Sequence, residues 1–380
     1  MIDPRPQHAL REVVAVMIRL GTVAFGGPAV HVAMLREEVV RRRRWVDEQE
    51  FLDLFGAVSV LPGPSSTQLA IVLSRRRAGW LGLVLGGACF ILPAMAIVLG
   101  LAWAYVRYGT TPTGGGVLYG IEPVVVAIVA VALFELVRKG FEVRWHVLLA
   151  IMAIACYFAG LNVLLPLLGA GLLTSMVANR QRLTGHANLW IVLAPALPAL
   201  PHPPRIRPGV VEVLAEFTKL GVTVFGSGYV LLAFLRADIV NELHWLTEQQ
   251  VLGAVAAGQI TPGPVFTTAT FVGYLLGGVP LALAATAGIF IPSFVLVAVL
   301  EPFVGRIRRS TWLGPALDGV TIAALGLMAA VTIDLGRTAI VDPLTTILAI
   351  AALAILIRWR PNAVLLLAVG AAIGVVHALV

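Results

Sequence analysis

The sequence predicts an all-α polytopic membrane protein whose two halves are homologous and related as an inverted repeat. Composition is the first observation behind this fold. The chain is 59% hydrophobic and 12% charged, with a mean hydropathy of +0.94, whereas a soluble domain carries about 25% charged residues. Apolar runs recur from one end of the chain to the other, which is typical of many membrane crossings.

A pattern that occurs twice is the second observation. Residues 20–67 align with residues 220–267 without a gap, and 18 of the 48 positions are identical. Matched glycine- and proline-broken segments in two halves are typical of secondary transporters, where they hold the substrate near the bilayer midplane. We therefore divide the chain into a first transporter repeat (1–178), a Pro-rich linker (179–208) and a second transporter repeat (209–380).

Each half contains six apolar segments. In the first half they cover residues 12–34, 51–74, 80–106, 117–137, 145–160 and 162–178. In the second half they cover residues 211–234, 250–275, 280–303, 314–333, 342–357 and 362–379. The apolar stretch 189–200 of the linker is too short and too often interrupted by proline to span a bilayer.

Basic residues predict the orientation of the first half, because cytoplasmic loops carry the excess of Lys and Arg. Arg residues occupy positions 41–44 after segment one and positions 75–77 after segment two. Both loops are then cytoplasmic, so segment two enters and leaves on the same side as a re-entrant hairpin. Residues 62–64, Pro-Gly-Pro, form its natural turning point.

The second half reverses this charge distribution. Its equivalent loops, residues 237–249 and 277–280, contain no Arg or Lys, so they are predicted to be external. With both Pro-Gly-Pro segments re-entrant, each half crosses five times and the second half is inverted. The expected fold has about ten spanning helices, two re-entrant hairpins and external termini. The alternative is that segment two spans and the repeats are parallel.

The doubled motif resembles the chromate ion transporter family, membrane proteins made of two homologous halves. The resemblance rests on a Phe-Gly pair, a Trp, a Glu-Gln pair and Pro-Gly-Pro, which begin at Phe25 and Phe225 in the two halves. The second copy departs at Ser227, where the first has Gly27. The resemblance implies efflux of chromate from a bacterial-type inner membrane, coupled to protons, with sulfate as a competitor. A sulfate or other oxyanion importer or exchanger on the same scaffold is the alternative.

Two matched cations favour an anionic substrate. Arg19 and Lys219 each lie seven residues before a Phe-Gly break, and hence on the same helix face as it. A charge in apolar sequence usually faces a cavity or a partner. The alternative is that both side chains extend to the membrane interface, or pair with Glu12 and Glu212.

The helix breaks supply further predicted substrate contacts. A helix that restarts after Pro-Gly-Pro offers free backbone N–H groups and a positive dipole end, while glycines allow the backbone to approach an anion closely. Simple N-capping is the alternative role of the hydroxyls. Beyond the two cations, the predicted substrate-binding residues are Gly26, Gly27, Gly63, Ser65, Ser66, Thr67, Gly226, Ser227, Gly263, Thr267 and Thr268.

Glu122, which has no acidic counterpart in the second half, is the candidate for proton coupling. Its alternative role is at a helix start, stabilising the dipole.

We expect no cofactor, no metal site and no nucleic-acid partner, because the seven His residues are scattered and the Arg residues sit at segment ends. An enzyme would need a cluster of His, Asp or Glu. The sequence leaves the oligomeric state open, a homodimer included.

Overall fold

The computed structural model describes eight stretches of the chain. They cover residues 6–25, 27–59, 61–140, 145–180, 208–225, 230–300, 310–359 and 361–379. Within these stretches the regular structure is helical, with no strand. Nearly all of the predicted linker lies outside the described residues.

The described residues of the first half form seven α-helices. They are α1 (Pro6–Val23), α2 (Gly27–Arg36), α3 (Glu48–Val58), α4 (Ser65–Tyr108), α5 (Pro112–Gly140), α6 (Trp145–Phe158) and α7 (Leu164–Ala178). A π-helical turn, Glu37–Arg42, continues α2. Segment one of the sequence is thus two helices, separated at the Phe-Gly break.

The second half repeats this order. Its helices are α8 (Val210–Thr223), α9 (Leu231–Phe234), α10 (Glu248–Ile260), α11 (Thr268–Leu300), α12 (Leu313–Ala339), α13 (Pro343–Trp359) and α14 (Ala363–Leu379). A π-helical turn, Leu235–Glu242, follows α9, and a 3₁₀ turn, Val265–Thr267, precedes α11.

Several motif residues have local structural roles. Asp47 caps α3 by accepting a hydrogen bond from the Glu50 N–H at 2.8 Å, and Thr247 caps α10 at the same place in the second half. The Arg and the Glu of the motif form an ion pair in both halves, between Arg36 and Glu48 and between Arg236 and Glu248. Part of the duplicated motif therefore fixes the entry into α3 and α10.

Two long helices fold back on themselves. Helical geometry is interrupted at Ala78 and Gly79 in α4 and at the glycine pair 277–278 in α11. Beyond the interruption the chain returns along its own first part. The hydroxyls of Thr270 and Thr286 are 2.7 Å apart across the α11 fold. Each long helix is therefore a short helix followed by a long one.

The two halves interlock. Helix α5 of the first half packs against α13 and α14 of the second, and α12 of the second packs against α6 and α7 of the first. Helices α4 and α11 also pack together, while α1 lies on α4 and α8 on α11. The first helix of each half thus packs along a helix of its own half, whereas the last three helices of each half pack against the other half.

Four helices in the described part of the chain are long and apolar enough to cross a membrane. They span Ser65–Tyr108, Pro112–Arg138, Val265–Val299 and Leu313–Ala339, and four shorter apolar helices accompany them. Large hydrophobic side chains such as Trp80, Leu148 and Ile350 are more than half exposed on the helical body. Such an outer surface fits a lipid environment.

Candidate functional site

Both Pro-Gly-Pro motifs are tight turns in the protein interior. Gly63 has a φ of +108° and Gly263 a φ of +88°, a backbone region that favours glycine. Neither turn has room for a side chain. A Cβ at Gly63 would lie 2.9 Å from both Gln68 Nε2 and Ser293 Oγ, and one at Gly263 would lie 2.8 Å from Ala94 Cβ.

Each turn is hydrogen-bonded to the opposite half. The N–H of Gly63 donates to the Val224 carbonyl at 2.6 Å, and the N–H of Gly263 donates to the Ala24 carbonyl at 3.0 Å. Ala24 and Val224 are equivalent residues at the ends of α1 and α8. The two helix breaks predicted in each half therefore meet across the halves, the Pro-Gly-Pro turn of one against the Phe-Gly break of the other.

The hydroxyls after the first turn are buried at the start of α4. Ser66 and Thr67 are at most 3% exposed, and Ser65 is half-buried. The Ser66 hydroxyl lies 3.4 Å from Nδ1 of His31, whose Nε2 is 3.0 Å from the Ala24 carbonyl. The N-cap residue is Pro64, without a side-chain hydrogen bond, so the hydroxyls do not play the capping role.

The hydroxyls after the second turn are equally buried but differently bonded. Thr267 donates to the Pro264 carbonyl at 2.7 Å, and Thr268 donates to the Val265 carbonyl at 2.8 Å. These bonds accompany the 3₁₀ turn that precedes α11. The two turns thus share a backbone shape but not a pattern of free hydroxyls.

Only part of the Phe-Gly breaks is described. Gly27 begins α2 with a φ of +79° and is buried. Gly26, Gly226 and Ser227, the other predicted contacts at these breaks, lie outside the described residues.

The two matched cations each pair with a buried carboxylate. Arg19 Nη1 is 3.5 Å from Glu38 Oε2, and the Glu38 side chain is 7% exposed. Lys219 Nζ is 2.9 Å from Asp238 Oδ2, and the Asp238 side chain is 5% exposed. Lys219 also contacts Glu216 at 2.6 Å. Glu38 and Asp238 are themselves equivalent residues, so one acid–base pair occurs in both halves.

The expected alternative partners of these cations are engaged elsewhere. Glu12 pairs with Arg43 at 3.0 Å and with Arg77 at 2.7 Å. Glu212 accepts a hydrogen bond from the Gly209 N–H at 2.8 Å. Pairing of the two cations with Glu12 and Glu212 is therefore not what the structure shows.

A cleft is lined in part by Asp238, the carboxylate that pairs with Lys219. The cleft has a volume of about 280 Å³ and lies between the α6–α7 connection and the π-helical turn after α9. Tyr157, Asn162, Asp238 and Glu242 are among its lining residues. An anion in the cleft would therefore meet the carboxylates of Asp238 and Glu242.

Glu122 lies inside helix α5, well beyond its first turn. The role of stabilising a helix start is therefore wrong. Glu122 is 7% exposed, its side chain lies near Gln249 at the start of α10, and its Oε1 has no partner among the described residues. The second-half counterpart, Thr321, is exposed and bonds to its own helix at the Leu317 carbonyl. This asymmetry is compatible with a specialised carboxylate.

Comparison with known proteins agrees with the duplicated motif. The sequence profile of the chromate transporter family matches residues 11–175 and, a second time, residues 211–375. The chain belongs to the chromate transporter family.

Curated relatives match nearly the full length of this family member. The chromate transport protein of Cupriavidus metallidurans is 32% identical, over 98% of this chain and 94% of the relative. The probable chromate transport protein of Synechococcus elongatus is 32% identical, over 95% and 92% respectively. The chromate transport protein of Pseudomonas aeruginosa is 30% identical, over 93% and 89%. No solved structure matches the chain.

Four residues that the sequence analysis did not single out lie beside the matched cations or the first Pro-Gly-Pro turn of this chromate transporter family member. Glu38 and Asp238 could have been found, since acidic residues occupy matched positions in the gap-free alignment. Gln68 and Ser293 could not be found in this way, because the equivalent residues of the other half, Thr268 and Ala94, are of a different type. Only the packing of α4 against α11 brings Ser293 to the first turn.

Proposed function

We propose that this protein exports chromate across the inner, cytoplasmic membrane of a bacterial-type cell and that the anion passes between the two Pro-Gly-Pro turns. The observation that carries the proposal is the crossed pair of hydrogen bonds, Gly63 to Val224 and Gly263 to Ala24. They gather four helix breaks in the interior of a chromate transporter family member. In secondary transporters such broken helices surround the substrate.

The inverted repeat is part of the proposal, and three contacts support its orientation. Arg75 donates to the Ala298 carbonyl at 3.2 Å, which puts the basic turn of α4 beside the end of α11. At the other end, Arg236 contacts both Asp334 and Tyr157. The predicted orientation puts Arg75 and the end of α11 on one side of the membrane and Arg236, Tyr157 and Asp334 on the other, and these contacts support it.

Helix lengths support the re-entrant hairpins. Helices α3 and α10 have 11 and 13 residues, which is about 17 and 20 Å at 1.5 Å per residue. A hydrocarbon core is about 30 Å thick. Each helix therefore reaches only part of the way across before its Pro-Gly-Pro turn, where the next helix presents free N–H groups and the positive end of its dipole.

Arg19 and Lys219 supply the positive charge in this proposal. Lys219 is already paired with Asp238, and Arg19 shares Glu38 with Arg43, which lies closer at 2.8 Å. An anion would therefore have to share or displace Glu38 or Asp238. We infer that these ion pairs loosen when chromate arrives. A cation that exchanges a carboxylate for a substrate anion couples binding to movement of the helix that carries the carboxylate.

The membrane potential favours export. One charge moving through 100 mV is worth about 2.3 kcal/mol, so a dianion leaving a negative interior gains roughly 4.6 kcal/mol. At 1.4 kcal/mol per factor of ten, this sustains a gradient of about a thousandfold. Import of chromate would need three or more co-transported cations. Proton coupling through Glu122 remains part of the proposal, as a means of adding to this gradient.

Uptake into inverted membrane vesicles tests the proposal. Inverted vesicles that contain the protein should accumulate chromate when their interior is made positive, and vesicles without it should not. Sulfate, molybdate and phosphate serve as competitors. Accumulation of sulfate in right-side-out vesicles, with chromate excluded, would instead identify an oxyanion importer or exchanger.

A further inference from the structure

The two Pro-Gly-Pro turns differ in how many buried polar atoms lack a partner. Thr67 Oγ1, Gln68 Oε1 and Ser293 Oγ, all at the first turn, have no hydrogen-bond partner in the described part of the chain. All three residues are completely buried. At the second turn, Thr267 and Thr268 use their hydroxyls on backbone carbonyls.

Ser293 reaches the first turn from the other half. It lies in α11, and its Oγ is 2.9 Å from the point where a Cβ at Gly63 would stand. Gln68 Nε2 is also 2.9 Å from that point and donates to the Pro62 carbonyl at 2.5 Å. At the second turn the matching place beside Gly263 is taken by Ala94. The side chains that pack beside the glycine are therefore polar at the first turn and apolar at the second, where the other near neighbours are backbone carbonyls.

Buried hydroxyls without partners destabilise a protein unless another molecule uses them. Of the three atoms without a partner, the hydroxyls of Thr67 and Ser293 can donate to an oxyanion, whereas Gln68 Oε1 is an acceptor. Gln68 can therefore contact an anion only through the second N–H of its amide nitrogen, whose first N–H goes to the Pro62 carbonyl. Ser293 Oγ and Gln68 Nε2 both lie 2.9 Å from one point beside Gly63, and two donors that converge in this way suit an oxyanion. Replacing Ser293 by alanine would leave the packing intact. Folding alone does not explain why these atoms are kept.

We propose that Gln68 and Ser293 contact the transported oxyanion when α4 and α11 separate at the first turn, which is closed in this structure and has no room for it. The binding site is then asymmetric, built on the first turn with one residue contributed from the second half. This inference rests on the proposed function, because it assumes that an oxyanion occupies the turn. The second turn then acts as the moving or supporting partner, its hydroxyls being committed to the backbone.

Ser293→Ala tests the proposal. Removing one hydrogen bond to a charged ligand should raise the KM for chromate by about tenfold to a hundredfold. Ser74→Ala is the matched control, since Ser74 is also fully buried but its hydroxyl donates to the Ala70 carbonyl at 2.7 Å. Thermal stability of purified Ser293→Ala should be unchanged or higher, because the lost hydroxyl had no partner. A wild-type KM in Ser293→Ala would overturn the inference.

Thr67→Val and Thr267→Val provide a second measurement, which serves if the Ser293→Ala protein does not reach the membrane in sufficient amount. Thr67→Val should raise the KM more than Thr267→Val, whereas equal effects would overturn the asymmetry. Failure of the wild-type protein to move chromate in vesicles would instead refute the proposed function. That outcome is distinct from active wild-type protein with an unaffected Ser293→Ala variant.

Discussion

Gly63 in the first half donates its backbone N–H to the carbonyl of Val224 in the second half, at 2.6 Å. The equivalent bond, from Gly263 to Ala24, is 3.0 Å long. Each Pro-Gly-Pro turn is thus fixed to the end of the opposite half's first helix rather than to its own. Movement of either helix end relative to the opposite turn would therefore shift or break this hydrogen bond.

The proposed inverted repeat makes a prediction about the side of the membrane on which equivalent residues lie. Arg41 and Asn241 are equivalent and exposed, and we expect Arg41 to face the cytoplasm and Asn241 the exterior. Single cysteines at the two positions, in protein whose native Cys89 and Cys156 have been replaced, should react with an impermeant thiol reagent from opposite sides of the membrane. Labelling of both from the same side would mean that the repeats are parallel.

Loss of either matched cation should stop transport. Arg19→Gln and Lys219→Gln should abolish or sharply reduce chromate uptake while protein remains in the membrane. At Lys219 the change also leaves Asp238 buried without its main counter-charge, which costs about 3–5 kcal/mol. Wild-type transport in both variants would show that the cations do not serve the substrate.

A double variant separates the two roles of Lys219. Lys219→Gln with Asp238→Asn removes the buried charge together with its partner. Stability should return, but transport should stay low if the cation also acts on chromate. Full recovery of transport would make Lys219 a structural partner of Asp238 only.

The turn glycines should tolerate no side chain. In Gly63→Leu and Gly263→Leu, a left-handed conformation costs about 1–2 kcal/mol, and the new side chain would enter space already filled by Ser293 or Ala94. Transport should be lost in both, and more severely than in the threonine variants. Gly100→Leu is the control, because nothing lies within 4 Å of a Cβ there. Active Gly63→Leu and Gly263→Leu proteins would remove the turns from the transport path.

Glu122 should matter for the response to protons rather than for chromate binding. Glu122→Gln keeps the size of the side chain and removes its charge, so the KM for chromate should change little. The stimulation of uptake by an imposed pH gradient should disappear. Asp318→Asn, at an exposed carboxylate in α12, is the control. A normal response to pH in Glu122→Gln would assign proton coupling elsewhere or exclude it.

Local chemistry is where sequence reasoning worked. Proline and glycine restrict the backbone wherever they occur, so the helix interruptions at 62–64 and 262–264 could be predicted without knowing any neighbour. The gap-free alignment also paired residues whose contacts match, such as Gly63 with Gly263. Family membership followed from the same motif, and it is confirmed by the profile match to both halves.

The sequence by itself thus determined an apolar helical chain, its duplication and the places where its helices break. The tertiary structure alone decided which residues surround each break. Ser293 is 230 positions away from Gly63 in the chain, and only the packing of α11 against α4 brings them together. Glu38 and Asp238 likewise meet the matched cations through the fold. Helix breaks depend on a few neighbouring residues, whereas burial and pairing depend on which distant surfaces pack, and no local pattern encodes that.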